Sequence, residues 1–240
     1  MSTLAFSFHK YTAAGRLAAI QHWSLGFLAI VRVRVEHSGE LPERGLIVMN
    51  HISWLDVFVL NAVAPSRFVS KVEVARWPFV GYLCTKSGTL YIERTRKTAA
   101  RRTNRMISDA LEQGDRVAVF PEGTTTSGDR LLRFHAALLQ PAIASAEIVH
   151  PVTLQYFDAD GRRSKDVSYI GDETLVGSVW QLLGAESVLT RLRFGAGEST
   201  AGRHRRELAD ALHSTVSRRL DRGAAAQAPG TTDDRPAAPR

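Results

Sequence analysis

Short apolar runs alternate with helix-like stretches along most of the chain. Val31-Arg32-Val33-Arg34-Val35-Glu36 is apolar at every second position, which predicts a strand with one face in water. Leu46-Ile47-Val48-Met49 is apolar without a break and predicts a strand covered on both faces. Residues 53–63 follow as a helix with Ser53 as its N-cap. Residues 67–70, 88–92, 117–120, 148–154 and 188–194 read as further strands, and Pro151 places the 148–154 strand at an edge or a strand end. Helices are expected over residues 97–113, where Met106, Ile107, Ala110 and Leu111 share a face, and over 134–143 (interrupted at Pro141), 173–183 and 204–221. Strand and helix in alternation predict an α/β fold: one domain built on a mixed, mainly parallel sheet flanked by helices.

The ends differ from this pattern. Residues 17–31 are mostly apolar but fall short of the roughly 18–20 residues that cross a bilayer. An interfacial helix with Trp23 and Phe27 at headgroup level is one reading, and an ordinary core helix is the other. Residues 223–240 are rich in Ala, Pro, Gly and Thr and are expected to be a disordered tail. The expected division is an N-terminal membrane-interfacial segment over 1–30, a folded domain over 31–222 and the tail. The aromatic cluster at residues 77–83 reads as core, with an acyl-chain-contacting lip as its functional alternative.

Charge narrows the partners. Lys and Arg number 31 against 24 Asp and Glu, giving a formal charge of +7 and favouring an anionic partner. The basic residues are dispersed and no nucleic-acid motif is present, so a nucleic-acid partner is not expected. The single cysteine, Cys84, excludes an intrachain disulfide framework, and no metal-ligand spacing stands out. A serine hydrolase would need Gly-x-Ser-x-Gly, and a nucleotide site its glycine-rich loop; neither occurs. A non-catalytic membrane-binding protein remains the alternative from another class.

Candidate chemistry sits at strand ends, where ligands of open α/β sheets bind. In Asn50-His51-Ile52-Ser53-Trp54-Leu55-Asp56, His51 lies just before the helix and Asp56 in its first turn. On one continuous helix these positions would diverge by about 140°. Across a strand-to-helix turn, the carboxylate can hold one imidazole nitrogen and leave the other to take a proton from a hydroxyl. The same letters also fit a capping box, Ser53-x-x-Asp56.

Four blocks, taken in order, resemble the glycerolipid (1-acylglycerol-3-phosphate, or lysophosphatidic acid) O-acyltransferase family. They are Asn50-His51-x4-Asp56; Gly88 with Tyr91-Ile92-Glu93-Arg94; Phe120-Pro121-Glu122-Gly123-Thr124; and Pro151 after an apolar strand. The resemblance implies transfer of a fatty acyl group from a thioester, acyl-CoA or acyl carrier protein, to the hydroxyl of a lysolipid, with no further cofactor. It implies His51 as base and Asp56 as its orienting partner. Asn50, Lys71, Glu93, Arg94, Glu122, Gly123, Thr124 and Thr125 would bind substrate, Arg94 and Lys71 at a phosphate. The N-terminal apolar stretch and the basic residues predict peripheral or monotopic attachment to the cytoplasmic face of a membrane. Two positions depart from the pattern. Thr125 stands where many members carry Arg, which widens the expected acceptor range toward lipids such as lyso-ornithine lipid. His150 precedes Pro151, where an apolar residue is more usual.

Overall fold

The computed structural model of the chain describes residues 12–77, 80–92, 97–171 and 173–225. Glu93 and Arg94 lie outside them, as do Pro78, Phe79 and most of the expected tail. The elements run α1 (Ala13–Ile30), β1 (Val33–Ser38), β2 (Gly45–Met49), α2 (Asp56–Val63), β3 (Arg67–Lys71), α3 (Val80–Lys86), β4 (Leu90–Ile92), α4 (Lys97–Glu112), β5 (Arg116–Val119), α5 (Gln140–Ala144), β6 (Val149–Phe157), α6 (Leu175–Gly184), β7 (Val188–Phe194) and α7 (Arg205–Ala225). The seven strands form one sheet in the order β1-β7-β6-β2-β5-β3-β4. Every pairing is parallel except β6 with β7. The mixed, mainly parallel α/β architecture is therefore present.

β2 is buried at all its positions because it lies near the middle of the sheet, with helices over both faces. Ile47 and Met49 enter one core layer, beneath α1, α2 and α6. Leu46 and Val48 enter the other, with residues of α4, α5 and α7. That two-sided burial is why β2 reads as an unbroken apolar run, whereas β7, half wet, alternates buried and partly exposed positions.

Pro151 is not at an edge. β6 lies between β2 and β7, with Pro151 in register with Val48 of β2. Its carbonyl accepts from the Gly195 amide at 2.8 Å, so its nitrogen also faces the β7 side. There the paired register begins one residue later, at Val152 with Phe194. The missing donor thus falls at the end of a ladder and costs no bond to β2. Pro141, expected to interrupt a helix, instead starts one: it occupies the first turn of α5, where its lack of an N–H is harmless.

α1 carries large apolar residues on both its inward and its outward side. Trp23 and Phe27 turn inward, 5.4 and 4.6 Å from the Phe58 ring centroid, rather than toward a headgroup layer. The outward side carries Leu17, Leu25 and Ile30. Among the described residues no helix is long and apolar enough to cross a membrane.

His150 sits half-buried on β6 beside Gly45 and Gly197. Burial lowers its pKa below the ordinary value of 6.5, against smaller opposing effects of the Arg44 backbone and Glu40. The unfolded chain, with the higher pKa, binds the proton more readily, so this residue's contribution is present above about pH 6.5 and is lost as the pH falls below it. Chemical denaturation between pH 7.5 and 5.5 should show stability falling toward acid. His150→Gln should flatten the slope by the contribution of this one group.

Candidate active site

The chain turns sharply after β2, and that turn is held by residues that lie 71 to 104 positions further along the sequence. The Asn50 side chain, buried, accepts from the Leu154 amide at 2.8 Å and donates to the Leu154 carbonyl at 3.0 Å. This pins the end of β2 to β6. The His51 amide donates to Glu122 Oε1 at 2.8 Å, and the His51 carbonyl accepts from the Thr126 amide at 2.9 Å. Glu122 Oε2 accepts from the Leu132 amide, also at 2.8 Å. Both carboxylate oxygens of this buried side chain are thus engaged by backbone. Burial raises the Glu122 pKa, while the Leu132 and His51 amides pull it back down. Gly123 takes φ +74°, a left-handed conformation open to glycine at little cost, as the loop doubles back.

Asp56 is 0 % exposed and gathers four donors. Oδ2 lies 2.8 Å from His51 Nδ1 and accepts from the amides of Ile52 at 2.8 Å and Ser53 at 3.1 Å. Oδ1 accepts from the Tyr156 hydroxyl at 2.7 Å. Ser53 is not the N-cap: α2 begins at Asp56, and the Ser53 amide reaches forward to that residue's carboxylate. Of the capping box only the bond from the Ser53 amide to the Asp56 carboxylate is present, and that same carboxylate orders the turn and holds the imidazole. Tyr156 was not legible as a site residue. It shares the Val152-Leu154 face of β6, and a hydroxyl on that apolar face needs a buried partner. Burial first, then the Asp56 charge, pushes its pKa well above 10.0, so the hydroxyl stays a donor. Tyr156→Phe leaves Oδ1 short of a donor. It should cost about 1–3 kcal/mol in denaturant unfolding and lower kcat roughly tenfold through a looser Asp56.

With Nδ1 facing Asp56, His51 Nε2 is the nitrogen left for chemistry. The His51 side chain is 20 % exposed and stacks on Phe120, ring centroids 3.8 Å apart. It lines a cavity of about 400 Å³ at the C-terminal ends of the parallel strands. Ser70, Lys71, Gly123, Thr124 and Thr125 bring polar groups to this cavity. Trp54, Val57, Phe58, Phe68, Val69, Val74, Trp77 and Phe120 make its walls largely apolar. Cys84 also lines it, but burial raises its pKa, with Thr89 opposing, so it stays a thiol rather than a nucleophilic thiolate. Among the described residues no three His, Cys, Asp or Glu side chains gather as a metal site.

The structure thus separates residues that sequence reading grouped together. His51, Lys71, Gly123, Thr124 and Thr125 face one cavity. Asn50 and Glu122 do not line it; the Asn50 amide is taken by the Leu154 backbone and the Glu122 carboxylate by the amides of His51 and Leu132. Trp77, read first as core, lines the cavity with Tyr169, a residue the sequence did not single out.

Residues 32–155 match the protein family described as Acyltransferase. The chain belongs to this family. Over 195 residues it is 35 % identical to the lyso-ornithine lipid O-acyltransferase of Pseudomonas aeruginosa, covering 81 % of this chain and 75 % of that one. It is also 35 % identical over 182 residues to the 1-acyl-sn-glycerol-3-phosphate acyltransferase of Neisseria meningitidis, covering 75 % and 71 %. In fold it matches the crystal structure of the 1-acyl-sn-glycerophosphate acyltransferase PlsC from Thermotoga maritima, with a TM-score of 0.70 and 19 % identity over 92 % of this chain and 87 % of that one. The protein is accordingly an acyltransferase, with the expected fold.

Proposed function

We propose that this acyltransferase moves a fatty acyl group from a thioester donor, acyl-CoA or acyl carrier protein, to the free hydroxyl of a lysophospholipid, with 1-acylglycerol-3-phosphate as first acceptor and phosphatidic acid as product. The observation that carries the reading is His51 held at Nδ1 by the buried Asp56, on the wall of a cavity with polar groups and long apolar sides. His51 Nε2 takes the proton of the acceptor hydroxyl as its oxygen attacks the thioester carbonyl. Asp56 stabilises the imidazolium that results. Collapse of the tetrahedral intermediate breaks the carbon–sulfur bond, and the imidazolium returns the proton to the leaving thiolate. Lys71, at the cavity, supplies positive charge for the acceptor's phosphate, the role the family resemblance also gives Arg94.

O-acylation of lyso-ornithine lipid is the second reading. Thr125, uncharged, lines the cavity, and the Pseudomonas relative is named for that acceptor. The protein would work at the cytoplasmic face of a membrane, attached peripherally. The outward residues Leu17, Leu25 and Ile30 of α1 and Val176, Trp180 and Leu183 of α6, the tryptophan 70 % exposed, are suited to a lipid surface.

Purified protein should be supplied with radiolabelled acyl-CoA or acyl carrier protein and a panel of lysolipids, each in detergent and in vesicles. Transfer to lysophosphatidic acid in preference to lyso-ornithine lipid supports the first reading, and the reverse preference supports the second. Absence of transfer from either donor to any lysolipid by folded protein would overturn both.

A further inference from the structure

Thr125 occupies a position that invites a headgroup role, yet its hydroxyl is already engaged. It donates to the backbone carbonyl of Tyr169, 44 residues away in sequence. A hydroxyl carries one proton, so Thr125 has none left to donate to a substrate. The Tyr169 amide donates to the carbonyl of Ile52, at 3.1 Å, within the turn that holds His51. The segment around Tyr169 is therefore tied at its amide to the His51 turn and at its carbonyl to the loop carrying Glu122. Val167, two residues earlier, is anchored in the core. Beyond Tyr169, Ile170 is exposed and Gly171 takes φ +66° as the chain turns away.

The side chain of Tyr169 is placed by these ties. Its ring meets Trp77 edge to face, centroids 6.4 Å apart, and both residues line the cavity. Trp77 follows β3 and Tyr169 follows β6, so two distant segments meet in this contact. Both rings present apolar surface to whatever occupies the cavity.

We propose that Tyr169 and Trp77 form a wall that selects the hydrocarbon chain of the acyl donor, and that Thr125 is the positioning residue that sets this wall by holding the Tyr169 carbonyl. This deepens the functional reading above and rests on it. Position 125 then acts on chain preference through Tyr169, rather than by touching the acceptor headgroup.

The test compares Thr125→Val, which keeps the shape and loses the donor, with Thr125→Ser, which keeps the donor. Initial rates are measured with decanoyl, palmitoyl and stearoyl thioesters at fixed lysophosphatidic acid. Thr125→Val should change the ratio of kcat/KM between decanoyl and palmitoyl donors by about three- to tenfold, mainly through KM, as expected for losing one hydrogen bond. Thr125→Ser should restore the wild-type ratio. Tyr169→Ala, which removes the wall itself, should change the ratio in the same direction, and Tyr169→Phe should leave it as it was. A change in the ratio between lysophosphatidic acid and lyso-ornithine lipid, without a change in chain preference, would overturn the proposal and return Thr125 to the headgroup. So would wild-type chain preference in both Thr125→Val and Tyr169→Ala. If Thr125→Val does not fold, Tyr169→Ala against Tyr169→Phe decides alone. Titration of a fluorescent long-chain fatty acid into wild type and Tyr169→Ala reads the wall without catalysis. If wild type transfers no acyl group, the functional reading fails, and this titration decides the wall separately: unchanged affinity overturns it, and weakened affinity supports it.

Discussion

Replacing His51 with Ala lowers kcat for acyl transfer by about 10²- to 10⁴-fold, the usual range for a positioned general base. The fold should survive. The His51 backbone, not its ring, makes the bonds to Glu122 and Thr126 that hold the turn, and alanine keeps both. What the variant loses inside the protein is one contact to Asp56 and the stacking on Phe120. Asp56 retains the amides of Ile52 and Ser53 and the Tyr156 hydroxyl. The melting temperature should therefore move by only a few degrees, while the KM for each substrate stays within a few-fold. Steady-state kinetics beside a thermal melt checks this. A folded variant with near-normal turnover would remove His51 from the mechanism.

Asp56 gives the second large effect, and two substitutions divide it. Asn keeps the volume and one carbonyl oxygen. That oxygen must occupy the Oδ2 position, since an amide NH₂ there would face the Ile52 and Ser53 amides donor to donor. The NH₂ then faces Tyr156, whose hydroxyl can accept as well as donate. The turn stays largely satisfied, but the charge that stabilises the imidazolium is gone. Asp56→Asn should lower kcat by about 10²- to 10⁴-fold with a modest change in stability. Asp56→Ala orphans two backbone amides and a buried hydroxyl. At about 1–3 kcal/mol for each unsatisfied group, its melting temperature should fall by roughly 10 °C or more. Equal stability of the two variants would show that the backbone donors are satisfied some other way.

The double use of Asp56 explains why part of the site was legible and part was not. Residue spacing identified His51 and Asp56, because the pairing lies within one turn and depends on local geometry. The block at 120–124 was legible through the resemblance to the acyltransferase family, after an apolar strand. Its task was not. The resemblance implied only an acceptor role for Glu122; that its carboxylate also holds the backbone of His51 depends on β2 and β5 lying side by side. For Trp77 core and acyl-chain-contacting lip both stayed open, because an aromatic residue at a cavity wall and one in a core have the same local pattern.

By itself, the sequence determined the seven strands, most of the helices but not α3, and the His51–Asp56 pair. Each of these follows from periodicity or spacing over a few residues. Periodicity reports which face of an element is apolar; it does not say which strand lies beside which. Only the tertiary structure placed β6 between β2 and β7, where Pro151 is tolerated at the end of a ladder. That placement brings Leu154 to Asn50, 104 residues away, and Tyr156 to Asp56, 100 residues away. It also carries the chain on to Tyr169, beside Thr125 and Trp77. A buried polar group must find a partner, but its sequence neighbours do not name that partner when the bond spans two strands of a folded sheet.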